Sequence, residues 1–409
     1  MAKSTPTTKT KAERPAKTDD DVVITPESIL AAEMSANKGD HLNYEDEIYY
    51  KVSTGSLNMD IEMGGGVNPG VFVVSGEFET GKSSFTLACM KNMLDTVPNS
   101  RGFYVKAEGR LSPEMRERSG IKFVFGKWIT NEAGKKVFDV SDWKDGTCFV
   151  SETNVWEFTL NNLRRFVAEN DSKKRYFFFI DSMDAMSLRD DIAKEVGTAN
   201  RVAGGPLLTK QFLQKMANAM AKRGHICALA GQVSAAIQLD PYTPAQRRSG
   251  PGGGGNAKDH WGNFIFVFKG KTQKDFILEK PSEKPDRITN AILGHNVNVL
   301  FKKTPNEKSN ITVSYPVKYG RKDGKSVWVE YEIVDALLMF QLLVKPPKGS
   351  WLNLSENLQA ELKENNLNDV PEQLQGIDNW RKFLEERQDV TEYLFAKFKK
   401  LIGQTKTEG

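Results

Sequence analysis

The sequence predicts an α/β fold with a mainly parallel central sheet flanked by helices. Two observations predict it. The first is an alternation of short apolar runs with helical stretches. Residues 71–75, 103–105, 176–180 and 226–230 read as strands, and residues 83–94, 155–168 and 207–222 as helices between them. Strands such as Tyr176-Phe177-Phe178-Phe179-Ile180 are apolar on both faces, as a parallel sheet covered by crossover helices requires. The second is the segment Gly76-Glu77-Phe78-Glu79-Thr80-Gly81-Lys82-Ser83-Ser84, between the first strand and the first of these helices. It contains G-x-x-x-x-G-K-S, the phosphate-binding loop pattern.

The elements follow in order. Residues 1–25 are rich in Lys, Thr, Pro and Ala and carry Asp19-Asp20-Asp21, a disordered, mildly basic tail by composition. With no apolar stretch in residues 1–21, a secretory signal is not expected. A short helix with apolar Ile29, Leu30, Ala32 and Met34 comes next. The α/β core spans residues 51–342. Within it, residues 127–143 alternate apolar and polar positions around Asn131-Glu132-Ala133-Gly134 and predict a hairpin. Residues 271–286 are charged, carry two prolines and read as an exposed excursion. After Lys345-Pro346-Pro347-Lys348-Gly349 the composition turns helix-forming and charged. Residues 379–402 read as two helices broken near Asp389, so residues 343–409 form a candidate small C-terminal α-rich domain.

Composition bounds the function. The chain has 409 residues, 27% charged and 39% hydrophobic, ordinary for a soluble protein. No apolar run has the length of a membrane span, so no membrane partner is expected. Cys89, Cys148 and Cys227 lack metal-ligand spacing and read as reduced thiols of a cytoplasmic protein. A net charge of +4 is too weak to indicate nucleic acid by itself.

The phosphate loop calls for a nucleoside triphosphate. Gly76 and Gly81 let the backbone turn tightly, so that successive N–H groups face phosphate oxygens. Lys82 supplies a cation for the β- and γ-phosphates, and the Ser83 hydroxyl is placed for Mg²⁺. The helix N-terminus adds its own field. Asp181 ends an apolar strand, where a carboxylate holds Mg²⁺ through water; the alternative is a helix N-cap. Glu108 follows the strand at 103–105. It either polarises an attacking water or is a solvated residue of the loop Ala107-Glu108-Gly109. Gln232 ends the strand at 226–230, where an amide can touch the γ-phosphate. Beyond it, residues 233–256 are a long segment with Tyr242, Arg247, Arg248 and Gly252-Gly253-Gly254-Gly255. Such a loop is functional or disordered. Its arginines and close-approaching backbone suit a phosphodiester partner; the alternative is a flexible surface loop.

These residues, in this order, resemble the RecA-type recombinases. Ser53-Thr54-Gly55-Ser56-Leu57-Asn58-Met59-Asp60 with Met63-Gly64-Gly65-Gly66 looks like the entry to that family's ATPase core. Residues 103–108 resemble its strand with the catalytic glutamate, and Ile180-Asp181-Ser182 its Walker B end. Gln232 falls at its γ-phosphate-sensing glutamine, and Gly254-Gly255-Asn256-Ala257 matches the end of its second DNA-binding loop. The resemblance runs from about Ser53 to Phe301 and resumes at Gly349-Ser350-Trp351 and Trp380-Arg381-Lys382-Phe383-Leu384. The passage from Leu343 to Trp351 is also similar to phage-type, UvsX-like members.

The resemblance implies a RecA-like P-loop ATPase core, with ATP on the phosphate loop, Mg²⁺ near Ser83 and Asp181, and water activation by Glu108. It implies single-stranded DNA on two loops, with Arg189, Lys194 and Arg201 as basic candidates of the first, and Tyr242, Arg247, Arg248, Gly254, Gly255 and Asn256 in the second. Met115 stands where relatives place an aromatic residue against adenine; a methionine can pack on such a ring. Lys303 aligns with one of a lysine pair that reaches ATP in the adjoining subunit, with Lys302 as the alternative. His260 either relays nucleotide state or caps the following strand. Residues 26–50 would serve self-association. The implied activity is a DNA-dependent ATPase of recombination and repair that forms helical filaments on single-stranded DNA and exchanges strands with homologous duplex, helped by single-strand-binding and loading proteins. A hexameric helicase on the same core, or a non-motor ATP-binding regulator, are the alternatives.

Overall fold

The computed structural model describes residues 25–108, 111–170, 173–195, 204–232, 260–281, 283–286, 288–347 and 349–404. The chain divides into two compact units, Met1–Glu45 and Asp46–Gly409. In the first, helix α1 (Pro26–Ala36) starts at Thr25, whose hydroxyl accepts the Ser28 amide while the Ser28 hydroxyl accepts the Thr25 amide. Proline at the first helical position costs nothing, because that N–H is unpaired in any helix. No residue of α1 is buried, and Ile29 and Leu30 are exposed.

The second unit opens with α2 (Leu57–Met63), β1 (Gly70–Gly76), α3 (Lys82–Thr96), β2 (Ser100–Lys106), α4 (Pro113–Ser119) and β3 (Lys122–Val124). A hairpin, β4 (Lys127–Thr130) and β5 (Lys136–Asp139), leads to β6 (Thr147–Ser151), α5 (Trp156–Ala168) and β7 (Arg175–Asp181). Then come α6 (Arg189–Ile192), α7 (Gly204–Lys222), β8 (Ile226–Gln232), β9 (Phe264–Phe268), β10 (Phe276–Leu278), β11 (Ile292–Lys303) and β12 (Ile311–Lys318). The last part holds α8 (Val329–Met339), β13 (Leu343–Val344), β14 (Trp351–Leu354), α9 (Glu356–Glu364), β15 (Gln373–Gln375), α10 (Ile377–Glu386) and α11 (Gln388–Gln404).

Ten strands form one sheet in the order β10-β11-β9-β1-β8-β7-β2-β6-β3, with β12 also paired to β11. From β9 to β3 every pairing is parallel; β10, β11 and β12 are antiparallel. The chain is thus α/β with a large, mostly parallel sheet flanked by helices. All seven residues of β1 are buried, which is why this strand reads as a continuous apolar run. Helix α3 lays Phe85, Leu87, Cys89, Met90 and Met93 into the main core. Each such side chain, fully buried, contributes roughly 1.5–3 kcal/mol. Phe85 meets Phe266 and Phe268 edge to face at 5.5 and 5.4 Å, which ties the helix to β9.

The hairpin expected at 127–143 is present, with Lys127 opposite Asp139 and Thr130 opposite Lys136. The excursion expected at 271–286 has no buried residue among those described, and it carries a strand that was not expected. Residues 276–278 form the edge strand β10 on β11, and Asp275 accepts the Asn298 side-chain amide at 2.7 Å. Its flanking lysines hid a strand only three residues long. Toward the C-terminus, Trp380, Leu384, Leu394 and Phe398 build a second apolar cluster that also takes in Leu57 of α2 and Ile333, Val334 and Leu337 of α8. The break between the last two helices falls at Arg387, whose guanidinium pairs with Asp389 at 2.8 Å. Among the described residues, no helix is long and apolar enough to cross a membrane.

Candidate active site

Strands β1, β8, β7 and β2 end together. Their registers set Gly76 beside Gln232 and Lys106 beside Asp181, so the loops that follow converge at one edge. In parallel sheets this carboxyl edge is where ligands bind. Gly76 has φ 153°, and a Cβ there would lie 2.4 Å from the Phe268 carbonyl oxygen. Only glycine lets β1 turn away while packed against β9. Gly81, at φ 96°, turns the chain into α3. Glu77, Phe78 and Glu79 are exposed on the loop, whereas Thr80 is buried and donates from Oγ1 to the Glu77 carbonyl at 2.9 Å. Lys82 curls back over the loop, its Nζ donating to the carbonyls of Gly76 (2.9 Å) and Glu77.

Two carboxylates flank this loop. Asp181 is buried, and its Oδ2 accepts the Ser83 hydroxyl at 2.8 Å and the Tyr104 hydroxyl at 3.0 Å. Both donors come from other elements, so the carboxylate does not cap a helix. Burial raises its pKa above the usual carboxylate range, against the lowering effect of these two bonds. Glu108 is not a solvated loop residue. Its Oε1 accepts the Ser182 hydroxyl and the Gln232 amide, the latter at 2.9 Å, while the Gln232 backbone N–H reaches Asp184 at 2.6 Å. The Ala107 and Glu108 amides bond the Asp181 carbonyl at 2.9 and 3.3 Å, locking the ends of β2 and β7 to each other. A carboxylate held this way can take a proton from water.

The phosphate loop, Ser84, Glu108, Asp181, Ser182 and Gln232 open onto a single cavity of about 780 Å³. Met115, on α4, lines it too. Sequence reasoning missed the rest of the lining. Arg118 reaches in from α4 and donates to the Ser84 hydroxyl at 3.2 Å. His295, Tyr315, Lys318 and Tyr319 come from β11, β12 and the following turn. The His295 and Tyr319 rings lie 5.4 Å apart, an aromatic face on the cavity. Burial, then the nearby Lys271 cation, hold His295 down to about 4, so its ring is neutral at pH 7. These residues carry no motif. The available signal was an aromatic-glycine pair, Tyr319-Gly320, closing an alternating strand.

Other expected residues are not gathered here. Arg189 and Lys194 lie in and just beyond α6, where Lys194 pairs with Asp191 at 2.6 Å. Lys303 ends β11 beside Ile265, toward the amino end of β9, the sheet edge opposite the phosphate loop. Its Nζ donates to the His260 carbonyl at 3.0 Å. Arg201, Tyr242, Arg247, Arg248, Gly254, Gly255 and Asn256 lie outside the described residues.

The site fits magnesium. Ser83 Oγ and Asp181 Oδ2 offer adjacent oxygen donors, and no group of three or more His, Cys, Asp or Glu able to hold a metal occurs among the described residues. Mg²⁺ is commonly held this way, by one or two protein oxygens with water and substrate phosphates completing the shell. If Asp181 holds Mg²⁺, Asp181→Asn separates that role from folding. Because burial raises the folded-state pKa, the ionised carboxylate destabilises the metal-free fold as pH rises through that value. The asparagine variant is expected to melt no lower than wild type at pH 8 without metal, and to lose the Mg²⁺ dependence of nucleotide binding. Unchanged Mg²⁺ dependence in a titration would remove Asp181 from the metal site.

A scan against protein-family models finds none that matches this chain, and a search of the curated proteins finds no match.

Proposed function

We propose that this chain is a RecA-type recombinase: a DNA-dependent ATPase that assembles into helical filaments on single-stranded DNA and carries out homologous pairing and strand exchange. The observation that carries the reading is the Glu108–Gln232 hydrogen bond beside the phosphate loop. It couples a candidate base to the residue that opens the segment with Arg247 and Arg248, so one amide adjoins both the nucleotide cavity and the proposed DNA loop.

In this reading Lys82 and the loop amides hold the β- and γ-phosphates, Ser83 and Asp181 hold Mg²⁺, and Glu108 takes the proton of the attacking water. Mg²⁺ supplies neutralisation of the charge that develops on the phosphoryl oxygens. Gln232 leaves Glu108 when it contacts the γ-phosphate, which frees the carboxylate. Lys303 acts in a neighbouring protomer, in keeping with its place at the edge away from its own phosphate loop. Residues 26–50 mediate self-association; the first of the DNA-binding segments is about residues 189–205. The wall carrying Met115, His295 and Tyr319 takes the base.

The test is ATP hydrolysis with and without single-stranded DNA. A rise of about tenfold or more on DNA is expected, a gain typical of completing a site with an extra charged group. Electron microscopy with a slowly hydrolysed ATP analogue should reveal open helical filaments. Closed rings would favour a helicase, and hydrolysis indifferent to DNA a non-motor regulator.

A further inference from the structure

One part of the cavity lining has little structure of its own. Residues 319–326 form a turn with Gly320 and Gly324 at φ 77° and Asp323 at φ 55°. A segment with so few internal bonds takes its position from what holds it. Helix α4 holds one side: the Asp323 and Gly324 amides donate to the Glu117 and Arg118 carbonyls at 3.1 and 2.9 Å.

The other side is held from the C-terminal helices. Glu385 of α10 accepts Lys318 Nζ at 2.7 Å and the indole N–H of Trp328, so a single carboxylate grips both ends of the turn. Arg321, within the turn, lies 3.8 Å from Glu385 and forks onto buried Glu330 with two 2.9 Å bonds. Gln388, beyond α10, donates to Glu330 at 3.3 Å. These groups are mostly shielded, which strengthens charge-assisted bonds over exposed pairs. Glu385 is anchored by its neighbour Leu384 and by Trp380, both buried in the second apolar cluster. Lys318, Ser326 and Val327 line the cavity directly, so the grip is one residue removed from whatever fills it.

We infer that Glu385 is a positioning residue: by clasping Lys318 and Trp328 it sets the cavity wall, so that the C-terminal helices tune nucleotide affinity without touching nucleotide. The inference rests on the nucleotide reading of the site. It assigns a binding effect and no chemical one.

The experiment is titration of the full chain with a fluorescent ADP analogue and Mg²⁺, without DNA, for wild type, Glu385→Gln, Lys318→Met, their double variant and Glu361→Gln. Glu361 pairs with Lys397 and Tyr393 within the C-terminal region, with no part in the clasp. Glu385→Gln is expected to raise the Kd about fivefold to tenfold, a common coupling between separate sites, with kcat at saturating ATP within about twofold. In the Lys318→Met background its effect should shrink, since half of the grip is already gone. Glu361→Gln should leave the Kd unchanged even where its melting temperature falls. Wild-type affinity in Glu385→Gln overturns the inference, and so does an equal loss in Glu361→Gln, which would mean general loosening. A wild-type chain that binds no ADP defeats the nucleotide reading itself.

Discussion

Lys82→Ala abolishes tight nucleotide binding, an expected loss of about 100-fold in affinity, the scale of removing one member of a shielded charge pair. The expectation follows from how the lysine is held. Its ammonium donates to the Gly76 and Glu77 carbonyls, so it sits over the bowl of the loop before any ligand arrives. A phosphate entering there finds a cation with little ordering left to do. Alanine leaves Gly76, Gly81 and the N-terminus of α3 in place, so amides alone must hold the anion. The lysine is only half-buried, and the fold should survive: melting temperature near wild type is part of the prediction. Calorimetric titration with ATP and Mg²⁺ reads it. Affinity within about twofold of wild type in a folded variant would mean that the loop binds no phosphate.

The parts of the fold legible in the sequence share one property: local pattern and burial agree. Residues 71–75 are apolar without alternation and end at a glycine, and they are the wholly buried β1. The hairpin is signalled by its turn residues, Asn131 to Gly134, between two short apolar stretches, and it is there. Strand β10 escaped because three half-buried residues among lysines give no period to read. The site divides along the same line. Gly76, Lys82, Ser83 and Asp181 follow from a contiguous motif and one strand end. Glu108 could not be settled locally, since the partner that decides it, Gln232, is 124 positions away. The cavity lining between Tyr319 and Val327 was illegible for a different reason. It is a turn positioned by α4 and by Glu385, and sequence patterns record what a segment does to itself, not what grips it from outside.

Glu108→Gln should bind ATP as wild type does and hydrolyse it about 100-fold or more slowly, within the usual contribution of a general base. The amide is nearly isosteric, so the contacts to Ser182 and Gln232 can be kept with one donor turned; what is lost is the capacity to accept a proton. On the filament reading, ATP then persists and filaments on single-stranded DNA outlive those of wild type. The variant also tests Lys303. That residue ends β11 at the edge away from its own phosphate loop, so any role in hydrolysis must be played in a neighbour. Lys303→Ala alone should bind ATP yet lose most DNA-stimulated turnover. Mixed filaments of the two variants contain some interfaces with an intact Glu108 on one side and an intact Lys303 on the other. Activity should reappear in proportion to those interfaces, peaking near equal amounts. Turnover by Glu108→Gln at the wild-type rate would end the general-base assignment. Mixed filaments that contain both proteins and stay inactive would end the trans role of Lys303 and leave Lys302 to be tried in its place, while the assignment of Glu108 would stand on its own measurement.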